Sequence, residues 1–227
     1  MSYFQEWRGD LRRLLGEYSD LLLIALVYAL SVAVSYNRYL RPSGLSPEAR
    51  AGFEIAGRAI LFTIPPLASA FLLKIPLREL GFNLGDPKRW LRDVLLFYCV
   101  MVPVLLLVAQ RRDFRSAYPY LHLARHGVAG FIVAQTIQLV FMFAWEFLSR
   151  GYLLFGFYRR LGAPAIAVQI IPFVLLHIGK PEAECYGSAV AAIALAVVAL
   201  RARSFYPAAL LHYLVGVTLD ILALGLR

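Results

Sequence analysis

The sequence predicts an all-α fold, a polytopic membrane helix bundle of about seven or eight transmembrane helices. Three observations predict it. Of the 227 residues, 60% are hydrophobic. Only 16% are charged, against about 25% in an average soluble domain. Mean hydropathy is +0.66, and a soluble chain of this size would leave too much apolar surface in water.

Residues 1–18 come first, with Phe4, Trp7, Leu11, Leu14, Leu15 and Tyr18 at steps of three and four. That spacing predicts an amphipathic helix lying in the membrane interface. The apolar run that follows resembles a leader core. The rest of the chain is polytopic, which argues for a retained span instead of a cleaved leader.

Seven runs approach the roughly 20 apolar residues that a crossing needs. They lie near 21–36, 55–73, 94–110, 128–158, 164–178, 185–200 and 206–226. The second holds Arg58 and the pair Pro65-Pro66, which predicts a kink. The fourth exceeds one crossing, and the fifth is short, ending at Gly179-Lys180-Pro181. The organisation read from this is an interfacial helix at 1–18, N-terminal spans and loops at 19–126, and a catalytic core at 127–227.

The formal net charge is +9. The basic residues sit in short loops, where they act as topology signals and contact lipid headgroups. Membrane lipids are therefore expected partners, and no nucleic-acid module is present. With the N-terminus inside, the inner side holds Arg8, Arg12, Arg13, Lys74, Arg78, Lys88, Arg89, Arg92, Arg159, Arg160, Arg201 and Arg203. The outer side holds Arg38, Arg41, Arg50, Arg111, Arg112, Arg115, Arg125 and Lys180. The bias predicts a multi-pass protein of the cell inner membrane with a cytoplasmic N-terminus. Cys99 and Cys185 have no CxxC spacing and read as two buried thiols.

Ionisable groups at membrane depth cost roughly 2.5–3.5 kcal/mol each on insertion scales, so they face protein or trapped water. Glu146, His177, His212 and Asp220 are such groups. Gln135, Gln138, Met142, Glu146 and Arg150 follow steps of three and four, giving the fourth run one polar stripe. Glu146 lies thirteen residues before Arg159, or ~20 Å of helix. His177 lies thirteen residues after Pro164, again ~20 Å. Antiparallel neighbours would hold Glu146 and His177 level, with His212 and Asp220 close in depth.

A carboxylate beside an imidazole can hold and deprotonate a water. A second imidazole can donate to an oxyanion. The same residues, Glu146, His177 and His212, are also a possible zinc set, since His2Glu binds catalytic zinc. The hydrolytic reading itself requires no cofactor.

"WEFLSRG", "FVLLH" and "LLHYLVGVTLD" resemble, in order, the EExxxR, FxxxH and HxxxN motifs of the CAAX-protease and bacteriocin-processing family. These are Abi-type intramembrane endopeptidases, related to the protease that trims prenylated CAAX proteins. The resemblance covers about 127–226, and "HIGKPEAE" and "LGFNLGD" also look like bacterial members. It implies catalytic roles for Glu146, His177 and His212, supporting roles for Arg150 and Phe173, and a membrane-associated protein or peptide substrate. Two positions depart: Trp145 stands at the first Glu and Gly216 at the Asn. Asp220 and Glu184 are the candidates to compensate, Asp220 by orienting His212 and Glu184 by folding back towards His177. Two other functions fit the same residues. One is a non-catalytic relative acting as a membrane scaffold or immunity-type factor. The other is a small ion-coupled transporter whose buried Glu, His and Asp form an ion path, although no inverted repeat is visible.

Overall fold

A computed structural model describes residues 3–36, 40 and 42–225. Arg38 and Arg41, the first two residues, and Leu226 at the end of the last apolar run lie outside the described residues. Every regular element among the described residues is helical.

Helix α1 (Tyr3–Glu17) buries none of its residues and meets α2 (Ser19–Ser35) at 75°. Leu21, Ile24, Tyr28, Ser31 and Ser35 form the buried face of α2, spaced as one stripe of a helix. Helix α3 (Pro47–Leu72) begins well before the apolar run near 55. Its start is set by polar chemistry: Ser46 Oγ accepts from the Ala49 N–H at 3.2 Å, and Pro47 fills the first turn. Pro65 and Pro66 lie inside it. Helix α4 (Pro87–Val108) starts likewise, with Asp86 Oδ1 accepting from the Lys88 and Arg89 N–H groups at 3.0 and 3.3 Å.

A short helix α5 (Arg112–Ala117) and a 3-10 turn (His122–Arg125) lead into α6 (Gly127–Glu146). The chain then continues as a π-helical segment (Phe147–Leu154) into α7 (Phe155–Leu161), one rod of 35 residues. Helices α8 (Pro164–Leu175), α9 (Glu182–Ala202) and α10 (Tyr206–Gly225) complete the bundle.

Five of these helices are long and apolar enough to cross a membrane, or six if the bent α1–α2 pair is one span. The expected seven or eight is not reached, for two reasons. Helix α2 passes only together with α1, and α8 has 12 residues, about 18 Å at 1.5 Å per residue. The residues after Leu175 turn instead of continuing α8.

Helix α6 packs between α3 and α10, α4 lies on α10, and α8 pairs with α9. The polarity is that of a membrane protein. Large apolar side chains such as Leu26, Ile64, Leu96, Val140 and Val190 point outward. Gln135, Gln138, Glu146, Arg150, Gln169, His177 and Asp220 are buried within. With its many apolar helices, the chain is an integral membrane protein.

One end of the bundle is tied by ion pairs: Arg160 to Asp20 at 3.1 Å, Arg159 to Glu79 at 2.7 Å, and Arg201 to Asp93 at 2.9 Å. Asn83 Nδ2 donates to Arg203 O there. The starts of α2 and α4, the 77–80 turn and the ends of α7 and α9 therefore share that end.

Candidate active site

The centre of the long rod is buried on every side, from Ala144 to Gly156. Its middle is π-helical, a geometry found mostly as single turns at functional sites. Glu146 and Arg150 bracket the change of helix type, and both are 0% exposed. Arg150 Nη1 lies 3.0 Å from Glu146 Oε1 and 2.9 Å from Oε2. The Arg150 guanidinium stacks 3.9 Å over the Phe173 ring, and Nη2 reaches Ala192 O at 3.5 Å. Gln169 Nε2 donates to the same carbonyl at 3.0 Å. Both terminal nitrogens and the ring-facing side of this buried cation thus have partners, while its Nε has none among the described residues.

Helix α10 brings His212 to the same carboxylate. Its Nδ1 is 2.6 Å from Glu146 Oε1. A carboxylate oxygen only accepts, so Nδ1 carries the proton. Helix α8 brings His177. The His177 amide N–H bonds Val174 O, which frees Phe173 O, and His177 Nδ1 lies 2.8 Å from that carbonyl. A carbonyl also only accepts, so this Nδ1 is protonated too. In its neutral form each ring thus presents a bare Nε2, and neither Nε2 has a hydrogen-bond partner among the described residues. The two imidazoles lie nearly parallel, with centroids 6.2 Å apart.

Phe173 touches three of the site's members. Besides lying under Arg150, its ring is 4.6 Å from His177 and 5.9 Å from His212. Spacing brings Glu146, Arg150, His177 and His212 together and the motif resemblance adds Phe173; the structure places all five in one cluster.

Asp220 is placed elsewhere. Its Oδ1 accepts from the Tyr120 N–H and its Oδ2 from Gln135 Nε2, each at 2.8 Å. Its bonds fix the loop before α6, not the His212 ring. Glu184 also turns away from His177. It accepts from the Tyr118 hydroxyl at 2.9 Å and lies 3.4 Å from Lys180.

The residue that sequence reasoning left without a role is Trp145. Its indole stands edge-on to both imidazoles, 5.8 Å from His177 and 6.3 Å from His212. Phe62 and Phe141 hold it from the other side at 5.8 and 5.5 Å. A second such residue is Gln138, buried against the bare Cα of Gly216.

Among the described residues no group of three or more His, Cys, Asp or Glu is placed to hold a metal ion. The Glu146 oxygens face Arg150 and the protonated Nδ1 of His212, so the donors do not fit a three-ligand zinc set.

Compared with known proteins, residues 122–218 match the family model described as type II CAAX prenyl endopeptidase Rce1-like. The matched stretch is less than half of the chain, but it holds every member of the cluster. The match bears out the resemblance drawn from the three motifs. At the level of that family it supports a CAAX-type peptidase acting on a membrane-associated protein. No curated protein and no solved structure matches the chain.

Proposed function

We propose that this chain, Rce1-like over residues 122–218, is an intramembrane endopeptidase. It hydrolyses a peptide bond of a lipidated or otherwise membrane-associated protein, with a water activated by Glu146, His177 and His212. The observation that carries the reading is the 2.6 Å contact between Glu146 and His212. It fixes the tautomer and orientation of an imidazole whose other nitrogen is bare, as a carboxylate does for the base in a catalytic triad.

In this mechanism a water donates one hydrogen to the Nε2 of each ring. The water oxygen attacks the scissile carbonyl carbon while His212 Nε2 takes its proton. Glu146 stabilises the imidazolium that forms. As the C–N bond breaks, the imidazolium returns the proton to the leaving amine, and a carboxylic acid and an amine are released. Arg150 holds the Glu146 carboxylate in place. The chemistry needs no other reactant, and the aromatic walls from Phe173 and Trp145 exclude bulk water.

The substrate would approach from the lipid or from the basic end, which is cytoplasmic if the inner-membrane, N-in reading holds. The ion pairs that gather Arg159, Arg160 and Arg201 at one end support that orientation.

The test is cleavage of a membrane-tethered, farnesylated CAAX peptide in proteoliposomes. Glu146→Ala and His177→Ala should each abolish cleavage while the protein still elutes as a folded species. Wild-type rates in both variants would overturn the reading. A second reading, a non-catalytic membrane scaffold, is favoured by one observation: Trp145 puts an indole where the motif has a carboxylate. It predicts no cleavage by the unmodified protein and an unchanged cellular phenotype in the Glu146 and His212 alanine variants.

A further inference from the structure

Hydrolysis of an amide needs a donor for the oxygen that becomes negative. Neither imidazole provides one in its neutral form, because each Nδ1–H is already given away, to Glu146 and to Phe173 O. Arg150 is turned to Glu146, Ala192 O and the Phe173 ring. Arg150 Nε carries an unpartnered N–H as well, but on a side chain with no exposed surface, so a donor at the two rings comes from another side chain.

We infer that the Trp145 indole N–H is the oxyanion donor of this site. Three observations support it. Trp145 is buried, with 7% of its surface exposed. Its Nε1 has no hydrogen-bond partner among the described residues, and an unmet buried donor is costly to leave so. The indole also stands nearly perpendicular to both imidazoles, at 77° and 88°, and touches both. Trp90, by contrast, gives its N–H to Leu84 O at 2.8 Å.

The indole–imidazole–imidazole contact thus sets an unmet donor, Trp145 Nε1, beside two unmet acceptors. A water and a peptide carbonyl supply the complement: the water donates to the two Nε2 atoms, and the carbonyl oxygen accepts from Nε1. The indole bond strengthens as the carbonyl becomes tetrahedral, which is the condition for lowering the barrier. The Phe62 and Phe141 contacts fix the ring before substrate arrives. The inference rests on the endopeptidase reading, and it gives that chemistry a donor from the position where the motif has an acid.

The experiment compares Trp145→Phe with the unmodified protein on the farnesylated CAAX peptide. Loss of an oxyanion donor lowers kcat by about 10²-fold, with KM little changed. A peptide aldehyde ending at the cleavage site should lose affinity in Trp145→Phe, while the uncleaved peptide binds as before. A purely structural indole would move both affinities together or neither. If Trp145→Phe fails to fold, 3-benzothienylalanine at 145 keeps the ring size and removes only the N–H. A kcat within twofold of the unmodified protein for either replacement overturns the inference. Such a result with His177→Ala still inactive leaves the endopeptidase reading standing. Activity in His177→Ala and Glu146→Ala as well removes both.

Discussion

The Arg150 guanidinium lies over the Phe173 ring, 3.9 Å from its centroid, while the same group holds Glu146 at 2.9 Å. The π-helical rod and α8 thus meet through a cation that is fully buried. Removing one partner of a buried pair leaves a charge without compensation and costs about 3–5 kcal/mol. Arg150→Ala should therefore lower Tm sharply in detergent and leave no cleavage. Arg150→Lys keeps the charge but not the planar face that stacks on Phe173, so it should fall between the two. Thermal denaturation of the two variants side by side checks the order.

Much of this cluster was legible from spacing. Residues i and i+4 share a helix face, so Glu146 and Arg150 pair by arithmetic, whereas Phe173 beside His177 is implied by the FxxxH resemblance. Depth matching brought the two helices level. Trp145 was not legible, because an aromatic beside a charged motif reads as ordinary core until its neighbours are known. The same holds for α8. Its composition suits a span, and only the turn after Leu175 shows that it stops short. Helix α3 was longer than its apolar run, because its start is fixed by the Ser46 cap and Pro47, which hydropathy does not register.

Asp220 shows the limit of depth arguments. It lies two turns beyond His212, and sequence position alone permitted a bond to that ring. The bond it makes is to a backbone amide 100 residues away, at Tyr120, which no local pattern reveals. Asp220→Ala should therefore loosen the loop before α6. Two groups lose an acceptor, at about 1–3 kcal/mol for each that stays buried. Hydrogen exchange should rise at the Tyr120 amide, whereas the farnesylated peptide should still be cleaved. A loss of kcat with no change in exchange would restore Asp220 to the chemistry.

Tyr118, in the same loop, links to Glu184 of α9 through its hydroxyl at 2.9 Å. Burial first, and then the nearby Glu184 charge, push its phenol well above the ordinary tyrosine range. The sign follows directly. A raised folded-state pKa favours the protonated form, so this contribution is complete below the unfolded pKa, near 10. It is lost progressively as pH climbs from there towards the higher folded value, because the unfolded chain releases its proton first. The loop should therefore lose exchange protection as pH rises through the range in which free tyrosine ionises, while its own phenol is still protonated. Tyr118→Phe removes the hydroxyl and should make protection lower and independent of pH there. Tyrosinate absorbance and hydrogen exchange measured together separate the two outcomes.

Gly216 and Gln138 form the tightest steric relationship near the cluster. A Cβ added at 216 would collide with the Gln138 side-chain nitrogen. Gln138 is itself buried, with 2% of its surface exposed, so its amide has little room to yield. Gly216→Ala should therefore destabilise the protein by about 1–3 kcal/mol, the usual cost of overpacking a core. The cost should come from that one contact and not from helix propensity, since alanine is the better helix former. Shortening the partner tests this: in Gln138→Ala/Gly216→Ala the collision is gone, and the double variant should be more stable than the sum of the singles predicts. A coupling of about 1 kcal/mol or more in a double-mutant cycle marks direct contact. Strict additivity would mean that α6 and α10 separate enough to absorb a methyl group, and the register that sets His212 on Glu146 would then be looser than the structure places it.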